Sequence, residues 1–410
     1  MVSRTQAGTA LVVGGVLVFA LALVVSAAVA PSIGTARDDD ASRATLVGSQ
    51  GGGPGLHEDG SVYRLSGTKT AWRLADAESY FDVTKLDNGS VLAGFMHGGY
   101  EACGPYESPC VHTGFRVIEP GPDPRVVDEF SFPVRTRKNS EVHDVELLPS
   151  GEFLVTDMEH ERIMTVRGGE ITWQWNASER YDAPDDPTKV DWLHINDVDH
   201  VGDDRYLVSV RNANELVIVE RGEGVVEVIN DGGDPEVLDH QHNPQWLGDG
   251  AVLVADSEND RIVELHRTES GNWTVAWKLD RAEGVGFSWP RDADRLPNGN
   301  TLITDSANQR LVEVNESGRT VWSYETPLIP YEAERLPAGE TVGGPLYNPS
   351  TGEAGGAQAA GSGSIPVLSF LLQALQTSYP LPFWIAEWHL ALGVACLASV
   401  VAGGYLRLTE

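Results

Sequence analysis

HDVELLPSGEFLVTDMEHERIMTV (residues 143–166), HNPQWLGDGAVLVADSENDRIVEL (242–265) and RDADRLPNGNTLITDSANQRLVEV (291–314) are copies of one pattern. Each reads as a short strand, a glycine turn, a strand ending in Asp, a polar turn and a strand opened by Arg. A fourth strand follows in places, marked by tryptophan near Trp173, Trp277 and Trp322. Four short strands in a repeat of about 40–50 residues is the pattern of a β-propeller blade. Alignment on the turn glycine gives six copies, at Gly89, Gly151, Gly202, Gly250, Gly299 and Gly339.

The last copy, YEAERLPAGETV (331–342), stops after about two strands. The stretch SVYRLSGTKTAWRL (61–74) matches RLVEVNESGRTVWSY (310–324), the third and fourth strands of a blade. The expected fold is therefore an all-β, six-bladed propeller of four-stranded blades, closed by N-terminal strands. Closure leaves no open sheet edge. A linear solenoid is the rival, and the half-blades at the two ends argue against it.

Outside the repeat, residues 7–30 are apolar, with Arg4 before them and Asp38, Asp39 and Asp40 after. That length suits a membrane span better than a signal-peptide core, although Ala27–Ala30 also resembles a cleavage site. A second apolar stretch, about 383–406, precedes Arg407. The arginines at the distal ends of both spans place both termini in the cytoplasm and the propeller outside the cell. The expected order is an N-terminal transmembrane helix (7–30), a flexible acidic linker (31–60), the propeller (61–345), a Gly/Ala/Ser linker (346–364) and a C-terminal membrane segment (365–407). Within that last segment, residues 365–377 are short enough to lie along the membrane surface. Glu387 and His389 fall near the outer end of the second span and read as interfacial.

The formal net charge is -31, and only five of the 29 Lys and Arg residues are Lys. So many carboxylates suit a very salty medium, where the screening length shrinks to about 3 Å. The same charge argues against nucleic-acid binding. Cys103 and Cys110 share one loop and are close enough to form a disulfide outside the cell; a two-ligand metal clip is the weaker reading. Cys396 falls in the second span. Sequons at Asn88, Asn176, Asn272 and Asn315 are compatible with surface glycosylation.

The first strand of a propeller blade lines the central channel. Eight residues before each turn glycine stand Phe81, His143, His194, His242, Arg291 and Tyr331. Three consecutive blades thus aim a histidine at the axis, and buried polar groups in register are costly unless partnered. Asn196 lies on the same side of its strand as His194. Asp157, Asp256 and Asp305 each precede an arginine by five residues (Arg162, Arg261, Arg310) and are expected to brace a hairpin. Val210 and Glu215 replace that pair in the third blade, which frees Arg211 for other work. Imidazoles and guanidiniums in one channel make an anion site within an acidic protein. Two metal readings compete: Asp144, Asp197, Asp292 and Asp294 as calcium ligands, and the three histidines as zinc or copper ligands. No nucleotide-binding loop, nucleophile elbow or HExxH motif is present.

WLHIND around His194, Arg211 seventeen residues later, QHNP at His242 and HDVELLP at His143 resemble the arylsulfotransferase family across residues 61–345. The similarity is greatest to the membrane-tethered, acidic members of salt-loving archaea. It implies a six-bladed propeller that moves a sulfuryl group from an aryl sulfate to a phenolic acceptor without a nucleotide donor or other cofactor. It implies His242 as the nucleophile that becomes transiently sulfated. His143, His194, Asn196 and Arg211 would bind the sulfuryl oxygens, and Arg291 adds a further substrate-binding cation beyond the family pattern. The chain also lacks the separate N-terminal β domain of the bacterial enzymes. No metal and no obligate protein partner are implied. A scaffold or anion-binding propeller without turnover, and a metal-dependent propeller hydrolase or oxidase, are the alternatives.

Overall fold

The computed structural model describes residues 3–34, 43–52, 57–248, 250–339, 341–347 and 381–409, with scattered positions between 367 and 379. The chain falls into two units, residues 33–356 and the two termini together.

The first unit is a six-bladed propeller of four-stranded antiparallel blades. Blades one to five begin with the inner strands Ser79–Lys85, Val145–Leu147, Ile195–Gly202, His242–Gly248 and Pro290–Arg295. The sixth blade is shared between the two ends of the chain. Its inner strand, Ile329–Leu336, pairs with Ala44–Gly51, which pairs in turn with Ser61–Ser66 and Lys69–Leu74.

Closure by N-terminal strands holds, with one correction. The end of the chain gives the last blade a single strand, and the missing second strand lies at 44–51, inside the stretch expected to be a flexible linker. ATLVGSQG carries only one apolar pair and three polar residues, so its pattern is weak, yet every residue of the strand is buried. It is buried because both its edges are paired, and the surrounding strands supply the apolar contacts. The remaining linker stretch, 348–364, lies outside the described residues, as does most of 365–377. Tyr347, placed in that linker, is instead buried against Trp277 and under the Arg295 guanidinium.

A separate hydrophobic cluster fills each gap between neighbouring blades. Tryptophans of the outermost strands enter these layers at Trp72, Trp175, Trp277 and Trp322. The Asp–Arg braces form at 2.7 Å (Asp157–Arg162), 2.6 Å (Asp256–Arg261) and 2.7 Å (Asp305–Arg310). Cys103 and Cys110 are joined in a disulfide within the first blade.

The acidic residues of the inner strands have a structural task. Inner strands have one unpaired edge, and its N–H groups need acceptors. Asp82 accepts from Val145 N–H (3.3 Å), Asp144 from Val198 N–H (2.7 Å), Asp292 from Ala333 N–H (3.0 Å) and Glu332 from Val83 N–H (3.4 Å). One turn deeper, Glu146, Gln245 and Glu334 repeat the device toward His200, Arg295 and Lys85. Among the described residues, five of the six blade junctions are thereby laced around the axis. Asp144 and Asp292, two of the carboxylates considered for calcium, thus have a structural use as acceptors of backbone donors.

The terminal unit contains two apolar helices, α1 (Arg4–Val29) and α2 (Glu387–Leu408), both long enough to cross a membrane. They pack antiparallel on small residues. A Cβ on Gly8 would lie 2.5 Å from the Gly403 carbonyl oxygen, and one on Gly15 would lie 3.0 Å from that of Cys396. At the other end His389 Nε2 bonds Ser26 Oγ at 2.9 Å, so this histidine is an interhelix contact and not simply interfacial.

Candidate functional site

The inner strands bring residues at or near their N-terminal ends together on the axis. Asp144, Asp197 and Asp292 all stand opposite a hydroxyl residue of the second strand (Thr156, Ser209, Thr304), which makes their predecessors His143, Asn196 and Arg291 equivalent. With Phe81, His242 and Tyr331 they form one ring. Tyr331 sits 5.4 Å from Phe81, 5.2 Å from His143 and 6.3 Å from His242 between ring centroids, with the Arg291 guanidinium 5.0 Å from its own ring. All six side chains are buried.

One residue of the expected ring is displaced. Counting back from the glycine put His194 level with His143 and His242. In the third blade the turn is built on Asp203 and Asp204 (φ 46° and 60°), with Asp204 in the place that glycine holds elsewhere. The register therefore shifts by two, Asn196 takes the ring position, and His194 stands on the rim above it in the left-handed conformation (φ 55°). His194 still reaches the site. Its ring stacks on His143 at 5.4 Å, and its Nδ1 bonds Asp191 at 2.8 Å. His240 and Trp289, also two residues before ring positions, share this rim and this conformation (φ 48° and 51°).

The bonding around His242 assigns its tautomer. Its Nδ1 lies 2.8 Å from Ser257 Oγ, and that hydroxyl lies 2.7 Å from the Pro290 carbonyl. A hydroxyl has one proton to give, and the carbonyl can only accept. Ser257 therefore donates to Pro290 and accepts from Nδ1–H, which leaves the lone pair of the neutral ring on Nε2. Burial holds the His242 imidazole well below its ordinary range, and the charges of Arg211 and Arg291 push the same way. His143 is depressed well below its ordinary range for the same first reason, and His194 is lowered too.

Two guanidiniums flank His242, one from each neighbouring blade. Arg291 is 2 % exposed. Among the described residues it has no carboxylate partner; it bonds the Gln50 side chain, stacks on Trp289 (3.8 Å), and leaves Nε unbonded. Burial pulls it down to about 10, a large shift for a guanidinium. Arg211 donates to Asn212 Oδ1 at 2.7 Å, its carboxylate pairing with Glu258 is loose (3.8 Å), and its Nε is likewise unbonded. Glu215, the residue of its blade that stands where the others carry the bracing arginine, accepts from Tyr181 and Gly232. Further buried polar atoms without a protein partner gather here: His143 Nδ1, Asn196 Oδ1, Gln241 Oε1, Asn243 Oδ1, Tyr331 OH and Trp289 Nε1. Such atoms are costly unless something polar meets them. At the far end of the channel residues 341–347 form a strap, held by Gln245 to Thr341 (2.9 Å) and Gly343 to Trp246 (2.7 Å).

Several members were not evident from the sequence. Gln50 lay in the presumed linker. Ser257 follows the bracing Asp256, where Ser306 follows Asp305, so its position carried no individual signal. His57 bonds Ser79 Oγ (2.9 Å) and pairs with Glu141 (3.2 Å). Against the opposing effect of burial, the bond from His57 holds Glu141 well below the carboxylate range. Among the described residues no three His, Cys, Asp or Glu side chains converge as metal ligands.

No family model and no curated protein matches the chain. Solved structures do. A protein of unknown function from Bacteroides caccae is 16% identical with a TM-score of 0.50, covering 70% of this chain and 96% of that one. The periplasmic gluconolactonase of Pseudomonas aeruginosa is 12% identical (TM-score 0.46; 72% and 99% covered). Virginiamycin B lyase from Staphylococcus aureus is 14% identical (TM-score 0.38; 60% and 70% covered). At these identities the likeness is one of fold.

Proposed function

We propose that this protein is a membrane-anchored sulfotransferase that carries a sulfuryl group from an aryl sulfate to a phenol outside the cell, through a sulfated His242. The observation that carries the reading is a buried, neutral imidazole with its Nε2 lone pair free, flanked by two guanidiniums that lack a close carboxylate. That combination suits attack on an anionic electrophile. In the first step Nε2 bonds to sulfur, the sulfur–oxygen bond breaks, and the aryl group leaves as phenolate. In the second, the acceptor oxygen attacks sulfur, the nitrogen–sulfur bond returns its electrons to the ring, and the phenolic proton passes to solvent. Arg211, Arg291, His143, His194 and Asn196 would hold the three sulfuryl oxygens as charge redistributes. Two terminal helices give the anchor. The charge of -31 fits a salty exterior. Phenol release from a chromogenic aryl sulfate should depend on an added acceptor phenol and disappear in His242→Ala. Binding of sulfate without any release, in folded protein with several acceptors, would point to an anion-binding scaffold instead.

A further inference from the structure

His194, a bulky residue, is held at a positive φ, which only outside support maintains. The support comes from the preceding blade. Glu161 Oε1 accepts the backbone N–H groups of Leu193 and His194, both at 2.8 Å, and Oε2 accepts that of Ile195 at 3.1 Å. One carboxylate thus gathers three consecutive donors of the segment that carries the rim histidine. Bonds to an ionised acceptor are stronger than neutral ones, and Glu161 is 1 % exposed, so water does not compete for them; the same burial pushes its carboxyl up to about 7 against the pull of the three donors, so the capture is strongest above neutral pH.

The device recurs where the next blade presents a rim side chain. Asn214 Oδ1 accepts His240 N–H at 2.9 Å, and Asp260 Oδ1 accepts Trp289 N–H at 2.8 Å. Glu161, Asn214 and Asp260 occupy the same place in their blades, just after the second strand's turn, at φ 51°, 57° and 51°. Gln309 holds that place in the fifth blade (φ 52°); its backbone carbonyl accepts the Thr326 N–H (2.8 Å), as that of Glu161 accepts the Ala177 N–H (2.9 Å), but among the described residues its side chain captures no N–H of the next blade. The sixth blade then enters as the ordinary extended strand Ile329–Leu336. Side-chain capture therefore accompanies the three left-handed rim residues and is missing ahead of the extended entry at Ile329.

We propose that Glu161 is the positioning residue for His194: its carboxylate fixes the backbone that aims the imidazole at His143 and the channel. The kinetic half of this rests on the transferase reading; the structural half does not. In Glu161→Gln one oxygen still accepts, but the amide NH2 meets the Ile195 N–H donor to donor, so the three N–H groups lose their shared charged acceptor and φ relaxes. The ring then leaves its stacked place on His143.

The test uses the full chain with Glu161→Gln, and Gln309→Asn as a control at the equivalent place. Two quantities are read: kcat and KM for a chromogenic aryl sulfate, and the ring ¹⁵N signals of His194, assigned by their loss in His194→Gln. Misplacement of a binding group by about 1 Å costs on the order of 100-fold, so kcat/KM for the donor should fall roughly 10- to 100-fold. The acceptor KM should stay unchanged, the His194 signals should move, and the control should match wild type. If Glu161→Gln does not fold, Glu161→Asp, with its charge one methylene short, takes its place in the same comparison. Unmoved His194 signals with wild-type kinetics would overturn the proposal. If the wild type transfers nothing, the transferase reading falls by itself, and the His194 signals alone decide: moved, Glu161 positions; unmoved, it does not.

Discussion

Replacing Ser257 by alanine is expected to slow sulfuryl transfer by acting on the tautomer of His242. In the native site the Ser257 hydroxyl accepts from Nδ1–H at 2.8 Å while donating to the Pro290 carbonyl at 2.7 Å. His242 is 3 % exposed, so no water stands ready to replace it. An unsatisfied buried donor costs about 1–3 kcal/mol. That penalty falls only on the tautomer with hydrogen on Nδ1, the one whose Nε2 can attack. The tautomer ratio should therefore shift roughly 5- to 150-fold toward the unreactive form, and kcat/KM should fall by up to that factor. Long-range ¹H–¹⁵N correlation of the His242 ring reads the tautomer directly, and initial rates with a chromogenic aryl sulfate read the consequence. Unchanged rates with the hydrogen still on Nδ1 in Ser257→Ala would refute the assignment of Ser257 as the group that orients His242.

Two further outcomes follow from buried charge. The folded state depresses the pKa of His242, so the unfolded chain binds its proton first; the stability this contributes is complete above about pH 6.5 and is lost as pH falls. The unfolding free energy of wild type relative to His242→Gln should thus rise by up to about 1.4 kcal/mol per pH unit between pH 5 and 6, then level off, as denaturant titrations at several pH values would show. A difference that does not change with pH would contradict a buried neutral imidazole. Arg310→Met should cost about 3–5 kcal/mol, read as a lowered denaturation midpoint, because it strands Asp305, whose side chain is 0% exposed, without its 2.7 Å partner.

The fold was largely legible because a propeller repeats its chemistry: glycine turns, Asp–Arg braces and edge tryptophans recur at fixed offsets. The strand at 44–51 escaped because its burial is imposed by two neighbouring strands and not encoded in an apolar alternation. The ring residues were legible from their offset to the turn, and the one slip, His194 for Asn196, arose where two aspartates replaced the glycine turn and moved the register. Ser257, Gln50 and Glu161 were not legible. Gln50 and Glu161 act through hydrogen bonds to another blade, Ser257 needs its bond to Pro290 of the next blade to orient His242, and a contact between distant segments leaves no spacing in the sequence. The channel carboxylates suggested calcium by residue type, whereas their task of satisfying unpaired strand-edge N–H groups emerges only from the closed ring.

The central claim is that His242 Nε2 becomes covalently sulfated. Brief incubation of the protein with an aryl sulfate, without acceptor, followed by mass spectrometry of its peptides under non-acidic conditions, tests this most directly. The account predicts a sulfuryl adduct on the peptide containing His242, lost on adding a phenol and missing in His242→Ala. Acceptor-dependent transfer with no adduct there, or an adduct on another residue, would contradict it.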